Sequence, residues 1–137
     1  MPKGHQDSNP AFLGLVGLCA WIVPGGGYYL LGDKRRALLV CVTLVLTFGL
    51  GLYIGSVGVI DPVHAKPWYL AQIMNSPAVM LIGHYVARTE AYPVFGRPNE
   101  IGQIYTSIAG LLNLLCLINA VYLAHTRQTT PQEVNSR

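Results

Sequence analysis

The fold is decided by residues 37–60, which read ALLVCVTLVLTFGLGLYIGSVGVI and contain no charged side chain. The hydrocarbon core of a bilayer is about 30 Å thick, and an α-helix needs about 20 consecutive apolar residues to cross it. The stretch meets this requirement, so it predicts a transmembrane helix. Asp33 can cap that helix, and the basic residues Lys34, Arg35 and Arg36 at its start are typical of an anchor to lipid headgroups.

Three further apolar stretches surround this one, at residues 11–31, 68–87 and 101–124. Charged residues make up 11% of the chain, against about 25% in soluble domains, and hydrophobic residues make up 52%. The sequence therefore predicts an all-α polytopic bundle of about four transmembrane helices. Its organisation is a polar tail at 1–10, a single transmembrane helical domain at 11–124 and a second polar tail at 125–137.

The first stretch is broken at Pro24-Gly25-Gly26-Gly27, where proline removes a helix hydrogen bond and the glycines supply no side chains. Unpaired backbone in lipid costs several kcal/mol per group, so the break must lie at the interface or be covered by other helices. It is either a kinked helix end or a re-entrant loop that presents backbone amides to an anionic headgroup. The candidate headgroup-binding residues are Gly25, Gly26, Gly27, Lys34, Arg35 and Arg36.

The third stretch carries a polar strip of Gln72, Asn75 and Ser76, and Pro77 is expected to kink it. Polar residues at membrane depth usually face other helices or a wet cavity. We therefore predict either a tilted, buried span or a helix that lies in the interface.

Small residues at helical spacing mark two of the stretches, and such residues allow helix backbones to approach closely. Gly51 and Gly55 form a GxxxG pair in the second stretch. The fourth stretch has a small-residue seam of Gly102, Thr106, Gly110 and Asn113. Since four short helices cannot easily bury the pair, the seam and the polar strip together, we expect some of them to dock against other membrane helices.

Catalytic and metal-binding patterns do not stand out in this sequence. Cys19, Cys41 and Cys116 are isolated from one another, which favours buried apolar side chains over a disulfide or a zinc site. No Asp or Glu lies in the middle of an apolar stretch, so the usual carriers of a proton relay are missing. The basic patch at 34–36 is too small for nucleic acid. We predict a protein that is not an enzyme and holds no metal.

Two histidines leave a specific alternative open. His84 lies near the end of the third stretch and His125 at the end of the fourth. Either could be the single axial ligand of a chlorophyll-type pigment, or could form a hydrogen bond at the membrane interface.

Residues 21–32, WIVPGGGYYLLG, followed by Arg35-Arg36-Ala37, resemble the signature of small bacterial membrane proteins. In that signature a first span ends in Pro-Gly-x-Gly-His, an aromatic residue and Leu-x-Gly follow, and basic residues open the next span. Proteins with a two-transmembrane-helix domain show a more distant likeness. Residues 109–115 resemble the last span of an uncharacterised four-span family.

The chain departs from these patterns at two positions. Tyr28 stands where the pattern has His, and Asn119 stands where it has Asp. Both changes replace an ionisable group with a neutral one. The resemblance implies a four-span membrane protein, and the departures imply that this chain lacks any proton- or metal-dependent activity.

Four crossings would place loops 32–36 and 88–100 on one side, and their basic residues favour the cytoplasm for them and the outside for both tails. The resulting hypothesis is a multi-pass protein of the bacterial inner membrane. It would be a non-enzymatic accessory or stabilising subunit that packs against other transmembrane subunits or copies of itself among the lipids. A pigment- or lipid-binding subunit of a photosynthetic or respiratory complex, and a small transporter, are the alternatives.

Overall fold

The computed structural model describes residues 9–63, 65–89 and 97–129, and the predicted all-α fold is confirmed in these ranges. Short connections separate the helices. The elements are α1 at Pro10–Ile22, α2 at Gly26–Leu30, α3 at Lys34–Gly55, a 3-10 turn at Val57–Val59, α4 at Lys66–Ile73, α5 at Ala78–Thr89 and α6 at Arg97–Thr129.

Helix ends differ in part from the predicted boundaries. Asn9 caps α1, since its side chain accepts a hydrogen bond from Ala11 N at 3.1 Å, and proline follows in the first turn. Helix α6 continues to Thr129, beyond the predicted end at 124. Most of both predicted tails, at 1–8 and 130–137, lies outside the described residues.

The long helices α3 and α6 run antiparallel and share the largest contact between two helices of the described chain. At one end, Arg127 Nη2 lies 2.8 Å from Asp33 Oδ2, just before α3 begins. At the other end, a Cβ atom on Gly55 would lie 3.1 Å from Pro98 O in the first turn of α6. We call the first end of the bundle the basic end, because it holds Lys34, Arg35, Arg36 and Arg127. The opposite end, which holds Gly55 and Pro98, is the far end.

Helix α1 starts at the basic end and runs to the middle of α6. Asn9 N donates a hydrogen bond to Gln128 Oε1 at 3.0 Å, which fixes the start of α1 beside the end of α6. Near the end of α1, Ala20 O accepts from Asn113 Nδ2 at 3.4 Å. Asn113 is the middle residue of α6, so α1 reaches half of the bundle's depth.

Helix α2 returns from this depth to the basic end. Asn119 Nδ2 donates to Tyr28 Oη at 2.7 Å, and Arg127 Nη1 donates to Leu31 O at 2.7 Å. As α2 proceeds, its partners on α6 therefore move toward the basic end. Residues 11–31 form a hairpin that enters and leaves at one end, and we call it the first hairpin.

Helix α4 enters from the far end. Ser107 Oγ donates to Trp68 O at 3.3 Å, and Asn113 Nδ2 donates to Met74 O at 3.0 Å. Since α4 follows α6 in the same direction, it too stops at the middle of the bundle.

Helix α5 turns back toward the far end. Val79, at its start, packs in an apolar cluster with Ile60 and Ile73. Farther along, a Cβ atom on Gly83 would lie 2.7 Å from Cε2 of Tyr69 in the first turn of α4. Helices α4 and α5 are therefore antiparallel, and we call them the second hairpin. The kink expected at Pro77 is here a full reversal of the chain.

The prediction of four crossing stretches is wrong for this architecture. By length and composition, two helices of the described chain, α3 and α6, could cross a bilayer. Their 22 and 33 residues correspond to about 33 Å and about 50 Å of helix. The predicted placement of loops 32–36 and 88–100 on one side is wrong too, because residues 32–36 lie at the basic end and the described residues of the other loop, 88–89 and 97–100, lie at the far end.

The two halves of the chain repeat one plan with opposite direction. In each half, a short helix enters, the chain reverses at mid-depth, a second short helix leaves and a long helix runs the full length. The first half uses α1, α2 and α3 and starts at the basic end, and the second uses α4, α5 and α6 and starts at the far end.

The GxxxG pair and the small-residue seam are buried inside the chain. A Cβ atom on Gly51 would lie 2.9 Å from Thr106 N, and one on Gly110 would meet the carbonyl oxygen of Ala71. In the polar strip, Gln72 and Asn75 are 0% and 6% exposed. The expectation that these three features cannot all be buried internally is therefore wrong.

Candidate functional site

The two hairpins meet at mid-depth in a contact that we call the hairpin junction, formed by residues 20–22, residues 73–76 and Asn113. Trp21 Nε1 donates to Ile73 O at 3.1 Å, and Ser76 Oγ donates to Ile22 O at 3.2 Å. The last carbonyl groups of an α-helix have no partner within the helix. Each hairpin therefore supplies a side chain that caps the first helix of the other.

Asn113 ties both hairpins to α6. Its Nδ2 donates to Asn75 O at 2.9 Å and to Met74 O at 3.0 Å, in addition to the longer bond to Ala20 O. The residue is fully buried. Because all these acceptors are carbonyl oxygens, the orientation of the amide follows from its surroundings.

A second buried amide lies next to the junction. Gln72 Nε2 donates to Thr106 Oγ1 at 2.8 Å and to Val59 O at 3.3 Å. Thr106 Oγ1 in turn lies 2.8 Å from Gly102 O, one turn back on α6. These bonds connect α4 to α6 and to the 3-10 turn.

Three side-chain oxygens of this region are buried and have no hydrogen-bond partner among the described residues: Gln72 Oε1, Asn75 Oδ1 and Asn113 Oδ1. Buried amide oxygens usually have a partner, so these atoms can accept from a donor. In the described chain, the hydrogen bonds at the junction involve amides, one hydroxyl, one indole and the backbone. Three amide oxygens can therefore accept a hydrogen bond here, and the described side chains of the junction include no acid, base or activated nucleophile.

The three glycines of the Pro24–Gly27 break serve close packing. A Cβ atom on Gly25 would lie 2.5 Å from Ala37 O, and one on Gly26 would lie 2.5 Å from Cys19 O. One on Gly27 would lie 2.9 Å from Ala120 Cβ. The break therefore fits between α1, α3 and α6, and Gly26 N already donates to Val23 O at 2.8 Å.

An apolar cavity of about 580 Å³ lies between the first hairpin and α3, and we call it the hairpin cavity. Lys34 is the charged residue of its lining, and the other lining residues are almost all apolar. Its wall is made of Cys19, Ile22, Val23, Pro24, Gly25, Gly26, Tyr29, Leu30, Lys34, Ala37, Leu38 and Cys41.

The predicted headgroup-binding residues separate into three sets. Gly25, Gly26 and Lys34 line the hairpin cavity. Gly27 is buried in the contact with α1 and α6. Arg35 and Arg36 are exposed in the first turn of α3.

The predicted pigment ligands lie far apart. His84 is exposed on α5 of the second hairpin, and His125 is exposed on α6 near the basic end. Among the described residues, no group of three or more His, Cys, Asp or Glu side chains could hold a metal ion. Pigment binding at either histidine stays a prediction.

Comparison with protein families matches residues 15–131 to a family of unknown function, DUF6677. The chain belongs to the DUF6677 family. No curated protein and no solved structure matches it. The expected resemblance to an uncharacterised family is confirmed at this level, and the finer likeness to a four-span membrane family is not shown.

Tyr28 and Asn119, the two positions at which the expected signature predicts other residues, contact each other in this DUF6677 chain. Tyr28 is 4% exposed, and its hydroxyl accepts the 2.7 Å hydrogen bond from Asn119. These residues lie 91 positions apart in the sequence, so no local pattern linked them.

Sequence reasoning also missed Trp21 and Ser76 as the side chains that join the hairpins. Trp21 was read only as part of the signature, and Ser76 only as part of a polar strip. No local pattern could identify their partners, since Ile73 and Ile22 accept through backbone oxygens 52 and 54 positions away.

Proposed function

We propose that the chain is an integral membrane protein that crosses the bilayer twice, through α3 and α6, with the two hairpins inserted from opposite faces. The outward surface of α3 is the observation that carries this proposal. Leu38, Leu39 and Leu46 are 66%, 67% and 61% exposed, and only 17% of the apolar window of α3 is buried. A continuous apolar surface of this kind is unfavourable in water and suits lipid.

Charge favours the cytoplasm for the basic end. There the described basic residues Lys34, Arg35, Arg36 and Arg127 are accompanied by one acid, Asp33. The far end carries Lys66, Arg88 and Arg97 together with Asp61 and Glu100. Basic residues near the ends of membrane helices accumulate on the cytoplasmic side.

Cysteine labelling distinguishes two crossings from four. In a chain whose native cysteines are replaced by serine, Arg36→Cys and Arg88→Cys would each be tested with a membrane-impermeant maleimide on intact cells. Both positions are exposed. Two crossings place them on opposite sides, so only Arg88→Cys should react. If both react, or if neither does until the cells are opened, the chain crosses four times.

The proposed role is non-enzymatic docking to another membrane subunit. The GxxxG pair and the small-residue seam are used internally, so a partner helix would need another apolar surface, and the outer face of α3 offers one. On that face, a Cβ atom at Gly49 would meet nothing within 4 Å. Small residues of this kind permit close approach of a second helix.

Purification in mild detergent tests this role. A partner subunit or a second copy should co-purify with the wild-type chain and be lost on Gly49→Leu. Gly14→Leu is the matched control, because Gly14 also has open space but lies on α1. A monomer without a partner, or equal loss with both variants, would contradict docking at α3.

The inverted halves favour a small transporter as the second candidate. Inverted repeats with interrupted helices that meet near mid-membrane are common in transporter folds. Vesicles containing the protein should then shrink less and re-swell faster than protein-free vesicles after a hyperosmotic step of glycerol or urea. Identical light-scattering traces would argue against passage of such solutes.

A further inference from the structure

We infer that the hairpin cavity holds an acyl chain of an anionic membrane lipid, with the lipid phosphate beside Lys34. The inference rests on the membrane placement proposed above. It assigns a ligand class to the cavity between the first hairpin and α3.

The lining selects an apolar occupant. A volume of about 580 Å³ falls within the range of about 300–1,000 Å³ typical of small-molecule sites. The walls come from α1, the chain reversal, α2 and the start of α3, and Ile22, Leu30 and Leu38 are among the side chains that face the space. A polar ligand would have few partners on these walls.

The single charged lining residue lies at the membrane-surface end of the cavity. Lys34 is the first residue of α3, at the basic end. Cys41 lies seven residues deeper, or about 10 Å along the helix. Pro24 and Cys19 also line the cavity, and they lie near mid-depth, since the neighbouring Ala20 contacts Asn113. The cavity lining thus changes from charged to apolar with depth, as a lipid molecule changes from its headgroup to its acyl chains.

The basic residues near the cavity are available for a phosphate. The nearby acid, Asp33, is engaged by Arg127 at 2.8 Å. In the described part of the chain, Lys34, Arg35 and Arg36 form no ion pair. Basic residues at a membrane surface attract anionic lipids, and each contributes independently of the others to a first approximation.

Lipid retention provides the direct test. The full chain would be purified from vesicles of phosphatidylcholine mixed with phosphatidylglycerol, and bound lipid would be counted by native mass spectrometry. We expect one phosphatidylglycerol per chain to be retained in preference to phosphatidylcholine. Lys34→Gln should lower that preference about fivefold, the loss associated with one basic residue near a membrane surface.

Lys66→Gln is the matched control, because Lys66 is the exposed first residue of α4 at the far end and does not line the cavity. It should leave the preference unchanged. Equal retention of both lipids by the wild type would overturn the anionic assignment, as would equal effects of the two substitutions. A co-purified peptide in place of lipid would show that a protein segment fills the space.

The native thiols give an independent readout inside the cavity. Cys19 and Cys41 face it from α1 and α3, and Cys116 can be replaced by serine. Alkylation of both thiols in detergent should slow several-fold when phosphatidylglycerol is added, and less in the Lys34→Gln chain. Unchanged rates would overturn the inference. This alkylation result is independent of the cysteine labelling described above, because Arg36→Cys and Arg88→Cys report only the side of the membrane on which each position lies.

Discussion

Glycines that allow close backbone contact mark the chain reversal of the first hairpin, residues 11–31, whereas a buried amide that bonds outside its own helix marks the second, residues 66–89. Both hairpins bring a chain reversal to the middle of the bundle, where unpaired backbone would be costly in the proposed bilayer. In the first, Gly25 and Gly26 remove the atoms that would keep α1, α2 and α3 apart. In the second, Gln72 donates to two oxygens outside its own helix.

This difference predicts two kinds of sensitivity to substitution. Close backbone contact tolerates no added atom, so the first hairpin should respond sharply to a single methyl group. Hydrogen bonds between membrane helices contribute modestly, about 0.6 kcal/mol on average, so the second hairpin should lose stability in smaller steps. Substitution at the hairpin junction, where Asn113 donates to both hairpins, should cause a loss of stability between these two.

The largest effect is expected for Gly25→Ala. Gly25 has φ of 84°, and the new Cβ would lie 2.5 Å from Ala37 O, a backbone atom that cannot move aside. We expect a loss of about 3 kcal/mol or more in the free energy of unfolding, from backbone strain and steric overlap together. Unfolding of the purified protein in mixed micelles with increasing SDS would measure it.

Gly32→Ala separates the two causes. Gly32 has φ of 83°, but a Cβ atom there would meet nothing within 4 Å. The same left-handed strain should therefore cost about 1 kcal/mol without the overlap. If both variants lose the same stability, the close contact between the first hairpin and α3 contributes nothing measurable.

A smaller effect is expected for Asn113→Ala. The substitution removes the donor shared by Ala20 O, Met74 O and Asn75 O, so we expect a loss of about 2 kcal/mol in the free energy of unfolding. Asn119→Ala on the same helix removes one bond, to Tyr28, and should cost less than about 1 kcal/mol. Equal losses would show that Asn113 does not hold the two hairpins together.

The sequence was sufficient for the all-α fold and for the positions of both chain interruptions, because proline and glycine act locally. It did not predict the direction that the chain takes after each interruption. Whether the chain continues across or turns back after Pro24 depends on contacts with α6, such as Leu31 with Arg127, that lie 96 positions apart. Apolar length alone cannot tell a broken span from a hairpin, since both need the same hydrophobic residues.

The candidate site shows the same limit. The sequence identified the buried residues Gln72, Asn75 and Asn113 as polar groups that needed partners, and it selected Lys34 as a headgroup contact. It could not show that Asn113 bonds to both hairpins, or that Cys19 and Cys41 line one cavity with Lys34. Those relations come from the reversal at Pro24, which brings α1 and α3 together around α2.

A smaller effect than that of Asn113→Ala is expected for Trp21→Phe, which keeps the aromatic packing and removes the Nε1 bond to Ile73 O. The loss should be about 1 kcal/mol in the free energy of unfolding, because the carbonyl at the end of α4 then lacks its donor. Trp68→Phe is the control, since Trp68 is 43% exposed, and it should change stability by less.

The chain has two tryptophans, so Trp68→Phe also leaves Trp21 as the only indole fluorophore. Its emission should then shift to longer wavelength in the same SDS range in which the first hairpin detaches. A shift that follows only the unfolding of α3 and α6 would mean that the two hairpins do not stabilise each other at the junction.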